Sequence, residues 1–339
     1  MSIAPSGQVL ALGIGSAGVR IVSALSKETT LVDRFAYLSC DRADLESVEG
    51  GQKVLIDCPI DQKLTPAMVR GLSIPHQAQM RSLLEGARVV FIIAGLGRAT
   101  ASGLAPVVAE LANESGADTV SIAVMPFGFE EKLRFYAGLA LRRLRGISRG
   151  VVVVDNDMLL KSTSDATLKE IYDLANSEAV TALGSLLSTQ SEDSIPVGLN
   201  KVLGTVFQHG YSFLSSASSG SPDKTEEALS RAVIGISKRA ETREANHAVV
   251  VLTGDSTLRA GETATAVKRL SSMFGNQEID VEYSVSYRGG AQLQVSVLAS
   301  GFQATRYDDY DPLASLRTVI DDSMEYSLPS GLESLPSCE

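Results

Sequence analysis

Two stretches of small residues combine the types and spacing that phosphate chemistry requires. The longer, Ala94-Gly-Leu-Gly-Arg-Ala-Thr-Ala-Ser-Gly-Leu-Ala-Pro106, follows the apolar run Val89-Val-Phe-Ile-Ile93 and leads into the helical pattern Val107-Val-Ala-Glu-Leu111. The shorter, Gly13-Ile-Gly15-Ser-Ala-Gly18, follows Val9-Leu-Ala-Leu12 and leads into a helix expected to begin near Val19. A buried strand that runs through a glycine-rich turn into a helix gathers free backbone N–H groups at a positive helix end. Small side chains let the main chain approach a phosphate closely. Taken alone, each stretch is equally a tight strand-to-helix turn with no ligand.

The elements around them narrow the choice. Gly13, Gly15 and Gly18 match the dinucleotide-binding fingerprint, and Asp41, after the strand Phe35-Ala-Tyr-Leu38, stands where a ribose-binding acid would fall. Asp41 is equally an Asx-turn residue. Val89 to Ile93, Thr119 to Val124 and Val151 to Val154 are continuous apolar runs, as expected of strands buried on both faces of a parallel sheet. The ligand of such a sheet lies outside the carboxyl ends of its strands. Pro126-Phe-Gly-Phe-Glu130 and Asp155-Asn-Asp157 fall there beside the two glycine-rich stretches. A dinucleotide fold needs one phosphate loop. Two such loops favour a nucleoside polyphosphate.

Bulk properties bound the class. At 339 residues and 44% hydrophobic content, the chain suits a globular protein of two domains. No apolar run reaches the roughly 18 residues of a membrane span, and no basic segment followed by an apolar one marks a secretory signal. Cys40, Cys58 and Cys338 have no metal-ligand spacing and fit a reducing cytoplasm, so a cytoplasmic location without metal ligands is expected. His209 and His247 are isolated. A formal charge of −10 argues against broad nucleic-acid binding.

The order of segments resembles the FtsZ/tubulin superfamily of GTP-binding, filament-forming proteins, and FtsZ within it, from about Val9 to Phe302. Gly95 to Gly103 with Ala105-Pro-Val-Val-Ala-Glu110 resembles the family's signature loop. Pro126-Phe-Gly-Phe-Glu-Glu-Lys-Leu-Arg134 resembles its sugar-edge loop, and Asn156-Asp-Met-Leu-Leu160 its base-edge segment. The resemblance implies GTP or GDP with Mg²⁺ as the ligand. It implies that Gly13, Gly15, Ser16, Ala17 and Gly18 face the α- and β-phosphates, and that Gly95, Gly97, Arg98, Ala99, Thr100, Ala101 and Gly103 form the signature cradle. Glu130 and Arg134 would meet the ribose and phosphate edge, Asn156 and Asn176 would read guanine, and Tyr172 would stack on it. Amide side chains offer a donor and an acceptor to a purine edge. Tyr172 also fits the core of an amphipathic helix, Asn156 a strand terminus, and Arg134 a solvated face.

The departures from the family pattern carry as much information. Arg98 adds a cation and five donors where the family has a small residue, either binding phosphate or blocking it. Arg70-Gly-Leu-Ser-Ile-Pro-His76, where the family senses the γ-phosphate, is shorter and keeps one glycine. The loop by which one subunit polarises water at its neighbour's nucleotide, NxDFAD in the family, aligns with Pro196-Val-Gly-Leu-Asn-Lys-Val202, placing Pro196, Gly198 and Lys201 at the three key positions. Nothing acidic remains there, and Glu192 and Asp193 lie upstream.

The expected architecture is α/β: a doubly wound, Rossmann-like parallel sheet forms a GTP-binding domain, followed by a central linking helix and a smaller α+β carboxyl-terminal domain. The expected boundaries are 1–177 for the nucleotide domain, 178–212 for the linking helix and intersubunit loop, 213–302 for the second domain and 303–339 for an acidic tail. Helices are expected from Glu178 and from Val202 to Phe213, with a polar connector at Ser215 to Pro222. A second sheet is expected from His247, including a hairpin of Ile279–Tyr287 and Leu293–Val297 across Arg288-Gly-Gly290. The partners implied are further copies or a related, catalytically complete subunit in longitudinal filaments, and a membrane-tethering adaptor at the tail. GTP hydrolysis by the chain alone is expected to be weak or absent. An NAD-binding oxidoreductase and a nucleotide-free scaffold are the alternatives.

Overall fold

The computed structural model describes residues 8–59, 63–157, 167–187, 198–255, 258–287 and 292–307. The apolar strand β1 (Gln8–Ile14) passes directly into α1 (Gly15–Leu25), four residues before the expected helix start. There follow β2 (Arg34–Ser39), α2 (Arg42–Glu46), β3 (Gln52–Leu55), α3 (Pro66–Leu72) and α4 (Gln77–Leu84). Then β4 (Ala87–Gly95), α5 (Ala99–Glu114), β5 (Asp118–Met125), α6 (Glu131–Ile147) and β6 (Gly150–Asp155) complete the parallel part.

The strands run in the order β3-β2-β1-β4-β5-β6 before the sheet continues. Alternate residues explain why β4 is apolar throughout. Val90, Ile92 and Ala94 enter the core on one face, while Val89, Phe91 and Ile93 enter the core on the other. Gly13 and Gly18 make this packing possible. A Cβ on Gly18 would lie 2.2 Å from the Ile93 carbonyl oxygen, and one on Gly13 would lie 2.4 Å from that of Gly18.

The second half departs from several expectations. The long helix α7 (Leu168–Leu187) begins ten residues before Glu178 and crosses the 177/178 division. Next comes α8 (Leu199–Val206), after which the chain turns through Gly210, at φ +103°, into β7 (Tyr211–Ser219), so Tyr211 to Phe213 are strand and not helix. The expected polar connector is largely this strand. Its serines are compatible with a sheet because they pair across it: the Ser216 and Ser296 hydroxyls lie 3.1 Å apart, and Gln294 donates to Ser216 Oγ at 2.8 Å.

After α9 (Lys224–Ser237) come β8 (His247–Gly254), α10 (Ala260–Phe274), β9 (Asp280–Tyr287) and β10 (Leu293–Phe302). β9 and β10 are not a hairpin. β8 lies between them, parallel to β9 and antiparallel to β10. The alternation in β10 does not mark a half-exposed face either, since Leu293 and Val295 to Phe302 are all buried. Nor is this a separate sheet. β7 pairs in parallel with β6 through Val152 with Ser212 and Val153 with Phe213, giving one mixed sheet of ten strands.

Candidate functional site

The strand order reverses between β1 and β4, and there the carboxyl ends of the strands part around a cleft of about 620 Å³. One wall is built from two helix starts. Gly15, at φ +67°, Ser16 and Ala17 open α1, and Thr100 and Ala101 lie in the first turn of α5. A Cβ on Gly15 would sit 3.5 Å from that of Ala101, so the two helices converge at this point. Neither start has a capping side chain or an acidic residue in its first turn. An uncapped first turn leaves N–H groups without intrahelical acceptors and carries positive partial charge.

The second glycine-rich stretch is therefore only half loop. Ala99 to Gly103 are helical, and the loop proper is Gly95 to Arg98. Gly97, at φ +106°, packs on Leu133 and donates its N–H to Ser102 Oγ at 2.8 Å. Gly103 serves packing as well, since a Cβ there would lie 2.8 Å from the Pro66 carbonyl oxygen. The residues ahead of it, expected as a shortened γ-phosphate loop, form the end of α3 and a 3-10 turn at Ile74–His76.

The opposite wall comes from the loop after β5, the end of β6 and α7. Tyr172 donates its hydroxyl to Glu130 Oε1, and its ring meets that of Phe127 edge-on at 5.2 Å. Glu130 Oε2 accepts from the Phe127 N–H at 3.0 Å. Burial and the Glu130 hydrogen bond push the Tyr172 phenol up to about 12, while the hydrogen bond from Arg98 pulls it down. Arg98 lines the same cleft as Tyr172. Asn156 is 7% exposed, and its Oδ1 is buried with no hydrogen-bond partner among the described residues. Asn176 lies one turn beyond Tyr172 on the same face of α7.

The cleft brings together Gly15, Ser16, Ala17, Asp41, Gly95, Arg98, Thr100, Ala101, Glu130, Asn156, Tyr172 and Asn176 from the sequence reading. Gly13, Gly18, Gly97, Ala99, Gly103 and Arg134 lie outside its lining. Arg134 donates to the Gly128 carbonyl at 3.3 Å. Asp41 caps α2 by accepting from the Ala43 N–H at 2.9 Å, the Asx-type role, while also lining the cleft. Sequence reasoning missed Arg20, Asp44, Lys169 and Asp173. Lys169 and Asp173 share the helical face of Tyr172 and Asn176, and Arg20, four residues after Ser16, pairs with Asp173 at 3.6 Å. That periodicity could have found them.

Of the three positions aligned with the intersubunit acidic loop, Pro196 lies outside the described residues, as do Glu192 and Asp193. Gly198 stands at the N-cap of α8. Lys201 is paired with Glu282 of β9 at 2.5 Å. The described residues contain no group of three or more His, Cys, Asp or Glu able to hold a metal ion.

The family model for the Tubulin/FtsZ family, GTPase domain, matches residues 70–164, which carry the loop of Arg98, the Glu130 segment and Asn156. Cell division protein FtsZ of Buchnera aphidicola subsp. Schizaphis graminum is 27% identical over 309 residues, covering 88% of this chain and 80% of that protein. In sequence and in fold the chain is similar to members of the FtsZ/tubulin superfamily. Coverage is narrower against cell division protein FtsZ 1 of Pyrococcus horikoshii, 28% identical over 66% of this chain. There the chain spans less than two thirds of the relative's length, 61%.

The solved FtsZ dimer of M. jannaschii shares the superfamily fold with a TM-score of 0.77 at 22% identity, over 88% of this chain and 89% of that one. The GTPγS-bound protofilament of CetZ2 from Haloferax volcanii gives 0.72 at 23% identity, over 94% and 100%. The doubly wound half of the FtsZ/tubulin fold is thus the half that builds the cleft. No helix among the described residues is long and apolar enough to cross a membrane.

Proposed function

We propose that the cleft binds GTP or GDP and that the chain is an FtsZ-like filament subunit, of the kind used in cell division or cell shape, with little or no GTP hydrolysis of its own. The observation that carries the binding half is the buried Oδ1 of Asn156, without a hydrogen-bond partner among the described residues, in a cleft lined also by Tyr172 and Asn176. An unsatisfied buried acceptor costs about 1–3 kcal/mol. The N–H edge of a guanine would satisfy it, whereas the corresponding ring nitrogen of adenine offers no donor. The uncapped starts of α1 and α5 suit the phosphates. Mg²⁺ would arrive on the triphosphate, whose oxygens would supply ligands that this chain lacks among its described residues.

The weak-hydrolysis half rests on Gly198 and Lys201. A glycine at a helix cap and a lysine already paired with Glu282 offer no carboxylate to a neighbour's water. Assembly with further copies or with a catalytically complete relative follows the pattern of the FtsZ dimer and the CetZ2 protofilament. In this reading residues 1–177 bind nucleotide, 178–212 link, 213–302 form the second domain, and 303–339 reach a membrane-tethering adaptor from a cytoplasmic filament. Titration of the purified protein with GTP, ATP and NAD tests the assignment. Binding of GTP with rejection of the other two supports it, and binding of NAD but not GTP overturns it.

A further inference from the structure

Asn156 is flanked by two carboxylates that lie outside the cleft lining and are engaged from behind. Arg239, just past the end of α9, directs Nε to Asp155 Oδ2 and a terminal guanidinium nitrogen to Asp157 Oδ2 at 3.4 Å. The side chains of Arg239 and Asp155 are 14% and 1% exposed. The remaining carboxylate oxygens organise the turn itself. Asp155 Oδ1 accepts from the Asp157 N–H at 3.0 Å, and Asp157 Oδ1 accepts from the Gly128 N–H at 2.7 Å. Gly128 lies between Phe127 and Glu130, the residues that seat Tyr172. One guanidinium therefore ties together the turn carrying Asn156 and, through Asp157, the loop that holds the Tyr172 platform.

Arg239 is itself anchored in the second half of the chain. Its N–H donates to the Ile236 carbonyl, its carbonyl accepts from Arg306 at 2.9 Å, and the next residue, Ala240, forms a bridge with Thr305. Burial opposes the charge on Arg239, but Asp155, Tyr307 and Asp157 outweigh it and raise its proton affinity, so the cation is retained. Buried ion pairs add little net stability, because desolvation offsets attraction. What they do fix is geometry, and here the fixed geometry is that of the turn presenting Asn156.

We propose that Arg239 is a positioning residue for base recognition: it holds Asp155 and Asp157 so that Asn156 is presented to the base edge of the ligand, and it makes that presentation depend on the packing of α9 and residues 305–307. This rests on the reading of the cleft as a guanine-nucleotide site. Coupling between sites is reciprocal, so a bound nucleotide would in turn steady the segment around Arg239.

The test is a double-mutant cycle read by nucleotide affinity. GTP and inosine triphosphate, which lacks the exocyclic amine, are titrated against wild type, Asn156→Ala, Arg239→Lys and the pair. The proposal expects Arg239→Lys to weaken GTP binding roughly ten-fold with Asn156 present and hardly at all with Asn156 removed, because directly coupled residues are non-additive. It also expects the preference for GTP over inosine triphosphate to shrink in Arg239→Lys. Equal losses in both backgrounds would overturn it and leave Arg239 a structural tie.

Should Arg239→Lys fail to fold, the apolar pair Asp155→Leu with Arg239→Met removes both buried charges at similar volume and takes its place in the cycle. Wild-type protein that binds no guanine nucleotide would overturn the cleft reading and this proposal together. Wild-type binding with an additive cycle overturns this proposal alone.

Discussion

Tyr172 of α7 donates its hydroxyl to Glu130 Oε1 across 42 residues of sequence, and the same carboxylate takes the Phe127 N–H through its other oxygen. The aromatic ring is thereby fixed at both ends, by Glu130 at the hydroxyl and by the Phe127 ring at its edge. If the ring is the platform for a base, Tyr172→Ala should weaken GTP binding roughly 5- to 150-fold, the range expected for one stacked base. Tyr172→Phe keeps the ring and should cost less than ten-fold. Isothermal titration of the two variants measures the difference, and equal losses would contradict a stacking role.

Asn156→Ala separates binding from folding. The substitution removes a buried acceptor that has no partner among the described residues, so thermal stability without ligand should hold or rise slightly. Affinity for GTP should fall by roughly ten-fold or more, the cost of leaving a buried ligand donor unpaired. A thermal melt with and without GTP reads both effects. A drop in ligand-free stability with unchanged GTP affinity would assign Asn156 a purely structural role.

The glycines of the first stretch divide in the same way. Gly18→Ala would drive a Cβ into the Ile93 carbonyl oxygen, 2.2 Å away, and should destabilise the protein by roughly 3 kcal/mol or more, visible in denaturant unfolding. Gly15→Ala meets ordinary contacts near 3.5 Å and pays only for φ +67°, about 1 kcal/mol. It should fold, with its effect appearing in triphosphate affinity.

How much of this was visible beforehand follows from where the physics is local. The apolar runs of β4, β5 and β6 are legible because both faces of a parallel sheet are covered. β7 was hidden because Ser and Ala carry no strand signal, and its hydroxyls make sense only with Ser296 and Gln294 opposite them, some 80 residues away. The pairing of β9 with β8 could not be read from a turn between β9 and β10, since alternation does not name a neighbour. At the site, Gly15, Asn156 and Tyr172 were legible as types in order. Gly13, Gly18 and Gly103 had the same residue type but are needed for backbone packing, which only the fold reveals. Arg239 was invisible, because its partners lie 84 and 82 residues upstream.

Glu178 offers a pH test within α7. Burial alone raises its carboxyl pKa above the ordinary glutamate value. The folded state therefore binds more protons than the unfolded state between the ordinary value and the raised one, and stability falls as pH rises through that window. Glu178→Gln should be more stable than wild type at neutral pH, and the advantage should vanish in acid below about pH 4, under the ordinary glutamate value. Denaturant melts at both pH values check the sign.

Cys40 should be chemically quiet. Burial and its hydrogen bond with Cys58 push its thiol up to about 12, so the reactive thiolate is scarce at pH 7. Peptide mapping after brief alkylation should find Cys40 unlabelled in the native protein and labelled after denaturation. Rapid native labelling would contradict the raised proton affinity of this half-buried thiol.

The most direct test of the account is phosphate release from GTP as a function of protein concentration, with GTP binding measured on the same samples. Catalysis that needs a neighbour's carboxylate rises steeply once subunits associate. The account predicts bound GTP and a flat rate at background, because Gly198 and the paired Lys201 supply no such group. A steep rise with concentration would mean that a neighbouring subunit does supply it, and would contradict the account.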